Sequence, residues 1–224
     1  MGDSRATPTR RRGIEAVIWD FNGTILDDLD LVVRSVNVQL ARRELPPLTV
    51  DRYRDVFGFP VEEYYRRIGL DPDEEPMSDL SAEFFATYAP GLAACPLHDG
   101  VHDALTAFRD AGLRQFVLSA MEEELLKATL VHLGISDLFE AIYGLSHHEG
   151  DSKLARGREL LVERSIRPDT ALLIGDTDHD AEVARDLGVS VALVSRGHQS
   201  EERIRAIGCE VRDSFFDLLS AVGS

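Results

Sequence analysis

Hydrophobic and polar positions divide the chain into two kinds of segment. Short apolar runs rich in β-branched residues, of which residues 14–19 are the first, are typical of strands buried in a parallel sheet. Longer segments carry apolar residues every three or four positions, as helices do when one face packs on a core. From residue 96 onwards the two kinds alternate, which predicts a parallel sheet with right-handed crossovers.

The pattern predicts a set of elements with one unusual interval. The expected strands are residues 14–19, 115–119, 139–143, 170–174, 189–194 and 210–211, and the helices among them are 100–110, 122–133, 153–164, 180–187 and 201–206, followed by an amphipathic tail at 215–222. Residues 25–94 contain no convincing strand. Four helices are expected there: 29–45, 49–57, 61–68 and one that opens at Ser78 or Ser81 and ends near residue 91. We interpret this interval as a helical domain inserted after the first strand.

Composition and charge indicate which partners are disfavoured and which cellular compartment is expected. The chain has 224 residues, 44% of them hydrophobic, and its formal net charge of −16 disfavours nucleic acid and anionic membrane surfaces as partners. No apolar stretch is long enough to cross a bilayer, and residues 1–12, expected to be a disordered tail, lack the apolar core of a secretory signal. Cys95 and Cys209 lie too far apart in sequence to suggest a disulfide framework or a zinc site, so we expect a reducing cytoplasm. The oligomeric state cannot be inferred from the sequence.

Polar residues follow the expected strands where ligands bind in doubly wound folds. Asp20 ends the first strand and precedes Gly23 and Thr24, although this segment alone could equally be a hairpin turn. Taken singly, Ser119 fits a helix cap and Lys153 a solvated surface lysine. The acidic loop at 176–180 fits the start of a helix. Together they place a nucleophile, a hydroxyl, an ammonium and paired carboxylates at one edge of one sheet.

These residues resemble the four motifs of the haloacid dehalogenase superfamily. The matching segments are residues 20–24 (Asp-Phe-Asn-Gly-Thr), Ser119, Lys153 and Gly175-Asp176 with Asp180, and the helical insertion resembles that of the phosphoglycolate phosphatase-like branch. The resemblance implies a Rossmann-like doubly wound core (13–27 and 95–224) and a mobile helical cap (28–94). It also implies Mg²⁺-dependent hydrolysis of a small phosphorylated metabolite, nominally phosphoglycolate, through an aspartyl-phosphate.

The resemblance also implies a role for each motif residue. Asp20 would be the nucleophile, and Mg²⁺ would bind to its carboxylate, the Asn22 backbone carbonyl and Asp176, with Asp180 adjusting the shell. Phosphoryl oxygens would be neutralised by Ser119, Lys153 and loop N–H groups, including those near Gly23, Thr24 and Ala120. Thr24 is expected to fix the loop rather than to bind the metal directly.

Asn22 departs from the family's phosphatase motif, which has a second aspartate there as general acid and base. An amide cannot exchange a proton near neutral pH, and general acid–base catalysis is worth about 10²–10⁴-fold in rate. Phosphomutase activity would need that acid even more. Haloacid dehalogenases also lack this aspartate, but they need no metal, so the Asp176/Asp180 pair argues against dehalogenase activity. The alternative to an enzyme is a catalytically impaired protein that binds a phosphate ligand or a protein partner.

Other side chains could supply the proton or contact the substrate. Histidines 98, 102, 147, 148 and 179 are each more simply interpreted as solvent-facing loop residues. Residues 64–67 of the expected cap, Tyr-Tyr-Arg-Arg, could touch substrate, although such a helix face is more often packing plus solvated charge.

Overall fold

The computed structural model describes residues 13–146 and 152–218, which contain one six-stranded sheet. Its strands are β1 (Ala16–Trp19), β2 (Arg114–Glu122), β3 (Ala141–Leu145), β4 (Ala171–Gly175), β5 (Ser190–Val194) and β6 (Glu210–Arg212). All neighbours pair in parallel, in the order β3-β2-β1-β4-β5-β6. The expected α/β fold with a doubly wound, Rossmann-like parallel sheet is confirmed.

β1 lies at the centre of the sheet, as its continuous apolar run predicts. Trp19 is opposite Val117 of β2 on one side and Ile174 of β4 on the other, and all four residues of β1 are buried. The indole Nε1 of Trp19 donates to Gln115 Oε1 over 3.1 Å, so the ring's polar atom has a partner inside the core.

Nine α-helices occur in the described residues. They are α1 (Leu29–Arg42), α2 (Val50–Val56), α3 (Val61–Ile68), α4 (Met77–Gly91), α5 (Val101–Asp110), α6 (Glu123–His132), α7 (Lys153–Glu163), α8 (Asp178–Leu187) and α9 (Glu201–Ala206). Buried side chains of α5 and α6 join one face of the sheet through Val17 and Trp19, whereas those of α7 and α8 join the other face through Ala16 and Ile18. Alternate residues of β1 thus contribute to the two hydrophobic cores on opposite faces of the sheet.

Helices α1–α4 form a helical block (residues 29–94) between β1 and α5, and this interval, all of it described, contains no strand. Two segments that run side by side connect it to the sheet. Asp27 N donates to Pro96 O over 2.9 Å, His98 N donates to Ile25 O over 3.1 Å, and Leu26 and Leu97 form an antiparallel bridge. That residues 28–94 are a cap domain that moves as a unit stays a prediction.

Element ends differ from the predictions by a few residues. β2 continues to Glu122 instead of ending at 119, β3 begins at Ala141 instead of 139, α1 ends at Arg42 instead of 45, and α8 begins two residues early, at Asp178. Helix α4 begins at Met77, after Pro76, so neither Ser78 nor Ser81 opens it. Of the expected tail at 215–222, a short 3₁₀ helix at Phe215–Asp217 is described, while residues 1–12 lie outside the described part. None of the described helices is long and apolar enough to cross a membrane.

Candidate active site

Three aspartates meet at the carboxyl edge of the central strands. Asp20 follows β1, Asp176 follows β4, and Asp180 lies in the first turn of α8. One carboxylate oxygen from each lies within 4.8 Å of the other two, and all three residues are buried. The first turn of α7 adds Lys153, whose Nζ donates to Asp20 Oδ1 and, over 2.5 Å, to Asp180 Oδ1. The structure therefore brings together the nucleophile, ammonium and paired carboxylates expected from the sequence.

Asp180 is held in place by the start of its own helix. Its Oδ2 accepts from Thr177 Oγ1 over 2.7 Å and from the backbone N–H groups of Asp176 and Thr177, and Thr177 in turn caps the helix. A Cβ at Gly175 would lie 2.3 Å from Asp180 Cγ, so only glycine allows this approach. Both Asp180 oxygens thus already bind protein groups, which suits a side chain that positions others.

The carboxylates of this cluster outnumber its positive charges, and their pKa values differ. Burial raises the pKa of Asp20 to about 7, because the Lys153 charge offsets only part of the desolvation and the neighbouring aspartates add repulsion. Burial likewise raises the pKa of Asp176 to about 6. Asp180 is buried too, but its contact with Lys153 keeps its pKa below the ordinary value. One ammonium does not compensate three carboxylates, and the oxygen-only donor set fits a hard divalent cation such as Mg²⁺.

The hydroxyl of Thr24 binds Asp176, while its expected role in fixing the loop stays a prediction. Thr24 Oγ1 donates to Asp176 Oδ1 over 2.9 Å, while His198 N donates to the other oxygen over 2.6 Å. Ser119 lies in β2, where the regular pairing with β3 is interrupted, and its Oγ accepts from Met121 N over 3.1 Å. Ser119 and Ala120 line, with Asp20 and Lys153, a cavity of about 290 Å³ between the sheet edge and the helical block.

The side chain of Asn22 is engaged by the helical block. Its Nδ2 donates to Asp28 Oδ2 over 3.0 Å and to the Tyr88 hydroxyl oxygen over 2.7 Å, and that hydroxyl donates to Asp28 Oδ2 over 2.5 Å. Asp28 directly precedes α1 and is 1% exposed, while Tyr88 lies on α4. Asn22 therefore acts as a hydrogen-bond donor to a buried carboxylate.

His198 completes this network and was missed from the sequence. Its Nε2 lies 3.1 Å from Asp28 Oδ1, and its Nδ1 lies 3.1 Å from the hydroxyl oxygen of Tyr53 on α2. Burial alone would lower the pKa of His198, but the Asp28 charge outweighs it and raises the pKa to about 9, while the pKa of Asp28 is lowered. The ring rests against Gly23, which has φ +75° and where a Cβ would lie 2.4 Å from His198 Cδ2.

Comparison with known proteins identifies the family. The family model for haloacid dehalogenase-like hydrolases matches residues 17–194. The chain belongs to this family. It is 29% identical over 215 residues to a protein named phosphoglycolate phosphatase from Rhodospirillum rubrum, with 91% of this chain and 89% of the relative covered.

Solved structures agree on the fold. A haloacid dehalogenase-like hydrolase from Streptococcus pneumoniae superposes with a TM-score of 0.82 at 20% identity, covering 93% of this chain and 98% of the other. Mycobacterium tuberculosis protein tyrosine kinase A superposes with a TM-score of 0.75 at 26% identity, covering 95% and 99%. Proteins similar to this chain are therefore named both as phosphatases and as a kinase.

Other residues singled out in this haloacid dehalogenase-like chain have mixed outcomes. His98 is buried, contrary to the solvent-facing interpretation, because the paired connections enclose it. His179 lines the cavity and stacks on Phe59 with ring centroids 4.4 Å apart, so it is not a free loop residue either. The side chain of His102 is 64% exposed, as expected, although the residue lies on α5 and not in a loop, and His147 and His148 lie outside the described residues.

Of the four residues at 64–67, only Tyr65 lines the cavity. Tyr64 is buried in the helical block, Arg66 pairs with nearby acidic side chains, and Arg67 donates to Val56 O. The strand-end rule that located Asp20 would have located His198 as well, had it been applied to the loop after β5.

Proposed function

We propose that the protein hydrolyses phosphomonoesters in a Mg²⁺-dependent reaction through a phosphoryl group carried transiently on Asp20. The observation that carries this proposal is the buried cluster of three aspartates and one lysine beside a cavity. Membership of the hydrolase family and a relative named phosphoglycolate phosphatase also indicate a phosphoric monoester hydrolase.

The cluster suits binding of a divalent cation and a phosphoryl group. The Asp20 carboxylate, the Asn22 backbone carbonyl and Asp176 would hold Mg²⁺, with Asp180 adjusting the shell through its own contacts. When bound, the ion would offset the negative charge of the transferring phosphoryl group. Lys153 and Ser119 would neutralise further phosphoryl oxygens, since both line the cavity beside Asp20.

The reaction divides into two displacements. A carboxylate oxygen of Asp20 attacks phosphorus, and the ester P–O bond breaks with its electron pair on the leaving oxygen, which takes a proton from solvent. Water then attacks phosphorus of the aspartyl-phosphate, loses its proton to solvent and releases phosphate with Asp20 regenerated. Asn22 cannot act as general acid or base in either step, because its amide neither gains nor loses a proton near neutral pH.

The binding-only alternative is less well supported. It rested on Asn22 alone, whereas the nucleophile, the lysine and both acidic residues are intact and lie together. The intact cluster therefore favours an enzyme over a protein that only binds a ligand.

Turnover of a panel of phosphomonoesters that includes phosphoglycolate tests the proposal. We expect phosphate release that requires Mg²⁺, stops reversibly in EDTA and is abolished in Asp20→Asn. Asp186→Asn, which changes an exposed carboxylate at the far end of α8, is the matched control and should keep full activity. Acid-quenched wild type should carry a phosphoryl group on Asp20. Equal turnover in EDTA would contradict the mechanism.

A further inference from the structure

One stripe of α4 lines the same cavity as the three aspartates. The lining residues Met77, Ser81, Phe84, Phe85 and Tyr88 recur at helical spacing, which places them on one face. The cavity is also lined by apolar and aromatic side chains of α1–α3 and their connections: Val32, Val36, Tyr53, Phe57, Phe59, Val61 and Tyr65. Eleven of these twelve side chains are apolar or aromatic, Ser81 being the exception, so the region beyond the phosphate site is largely non-polar.

Two of the lining rings are unusually exposed for their size. Phe85 is 44% exposed and Phe59 is 37% exposed, although most other large apolar residues of the helical block are buried. An aromatic side chain that faces an open cavity still has apolar surface to bury, and a ligand ring could cover it. The volume is sufficient, because a cavity of about 150 Å³ lined by apolar side chains is enough to bind benzene.

Within the described residues, Lys153 is the one Lys or Arg that lines the cavity, and it is already paired with Asp20 and Asp180. Two arginines of the helical block have partners elsewhere: Arg43 binds Glu75 and Glu83, and Arg54 donates to backbone carbonyls. The positive charge of His198 faces the buried Asp28. A carboxylate on the substrate would therefore lose its hydration without gaining a free lysine or arginine as counter-charge, which is costly.

The identity of residue 22 points to the same class of substrate. With Asn22 in place of an acid, the leaving oxygen departs with little help from the protein. A phenolate, whose conjugate acid has a pKa of about 10, departs far more readily than an alkoxide. This chemical argument is independent of the shape and polarity of the cavity.

We infer that the substrates are aryl phosphates, meaning phosphate esters of small, uncharged aromatic hydroxy compounds, rather than carboxylate-bearing esters such as phosphoglycolate. This inference rests on the proposed phosphatase function. The phosphate lies beside Asp20, Ser119 and Lys153, and the ring lies between α4 and the aromatic side chains of α2 and α3.

Four esters separate the contributions of ring, charge and leaving group. Benzyl and ethyl phosphate both release alkoxides, so their ratio of kcat/KM reports the ring contact, and we expect benzyl to exceed ethyl by about 10- to 100-fold. Phenyl phosphate should be the fastest because it releases a phenolate. Phosphoglycolate should be no better than ethyl phosphate. Calorimetric titration should show phenethylphosphonate, an isostere of benzyl phosphate, binding at least about 10-fold more tightly than 3-phosphonopropionate, an isostere of phosphoglycolate.

Variants of the cavity wall test the placement of the ring. Phe85→Ala should reduce the benzyl-to-ethyl ratio by about 3- to 10-fold, because part of the ring contact is lost. Phe216→Ala, at a ring that is 62% exposed and does not line the cavity, should leave the ratio unchanged. Ser81→Lys places a cation on the α4 stripe and should raise phosphoglycolate turnover by about 10-fold, whereas the uncharged Ser81→Met should not.

The outcomes separate the two proposals. Phosphoglycolate turnover equal to or above that of benzyl phosphate would overturn the aryl class and leave the phosphatase function standing. A benzyl-to-ethyl ratio near one would do the same. Failure to hydrolyse any of the four esters with Mg²⁺ would overturn the phosphatase function and, with it, this inference.

Discussion

Asn22→Asp would restore the residue that the family's phosphatase motif has, yet we expect it to harm this protein. In the structure the Asn22 amide donates to the carboxylate of Asp28 and to the Tyr88 hydroxyl oxygen. A carboxylate can donate neither bond when ionised, and it would lie about 3 Å from a buried carboxylate of the same charge. The change therefore converts an attractive contact into a repulsive one.

The magnitude follows from the contacts that are lost. A hydrogen bond to a charged group is worth about 1.5–3 kcal/mol, and the bond to the Tyr88 oxygen adds about 1 kcal/mol. Repulsion is limited because the two carboxyl groups can share one proton and because His198 lies beside Asp28. We expect the free energy of unfolding to fall by about 2–4 kcal/mol at pH 7.

The pH dependence of this loss has a defined sign. A proton shared between the two carboxyl groups raises one folded-state pKa above its unfolded value, so its stabilising effect is present at low pH and is lost as pH rises. The difference between wild type and Asn22→Asp should therefore be larger at pH 8 than at pH 5. Urea denaturation at both pH values measures it.

Turnover of an alkyl phosphate decides whether the site is simply missing its acid. If it were, Asn22→Asp should raise benzyl phosphate turnover by about 10²-fold. We expect no increase, because the new carboxyl is held against Asp28. Asn37→Asp is the control: Asn37 lies on α1, its amide donates to Leu48 O over 3.0 Å, and the residue does not line the cavity. It should cost about 1 kcal/mol and keep full turnover. A stable Asn22→Asp protein with 10-fold or greater gain would refute this reasoning.

Three further predictions concern Asp20, His198 and the boundaries of the helical block. In EDTA at pH 8, Asp20→Asn should raise the free energy of unfolding by about 1–3 kcal/mol. The reason is that a buried carboxyl with a folded-state pKa of about 7 loses its stabilising effect as pH rises through that value. The same variant should reduce the rise in Tm that Mg²⁺ produces, because a proposed metal ligand is lost. The destabilisation by His198→Asn should be largest below about pH 6.5 and should shrink as pH rises through about 9, where the imidazolium loses its proton; the exposed His102→Asn is its control in urea denaturation. If residues 28–94 form a movable cap, limited proteolysis should cleave first at 26–28, 94–97 or the acidic loop at 71–76, and first cuts inside the central strands would contradict that division.

Much of the fold could be predicted because local pattern and global position agree. The apolar run of β1 has no polar face, which is the requirement for a strand covered on both sides, and the structure places it at the centre of the sheet. Element ends were less predictable. The start of β3 at Ala141 depends on its pairing with Phe116 of β2, and such a long-range contact leaves no local signal.

The candidate site was predictable where one strand end supplies one side chain. Asp20, Ser119 and Asp176 were located by that rule, and Lys153 and Asp180 by the helices that follow. His198 follows a strand end as well, but its grouping with Asp28 and Tyr88 could not be predicted, since the three residues come from distant parts of the chain. Only the packing of the helical block on the sheet edge brings them together around Asn22.

Asn22 and the apolar cavity are consistent with one account of specificity. A buried carboxylate at Asp28 makes an amide the favourable neighbour at position 22, and that choice removes the general acid from the site. The loss slows esters that release alkoxides and matters much less for esters that release phenolates. A cavity lined by Phe84, Phe85 and Phe59 favours the same aromatic leaving groups. On the proposed function, the residue that looks like a defect in the motif would therefore favour the same substrates as the apolar lining of the cavity.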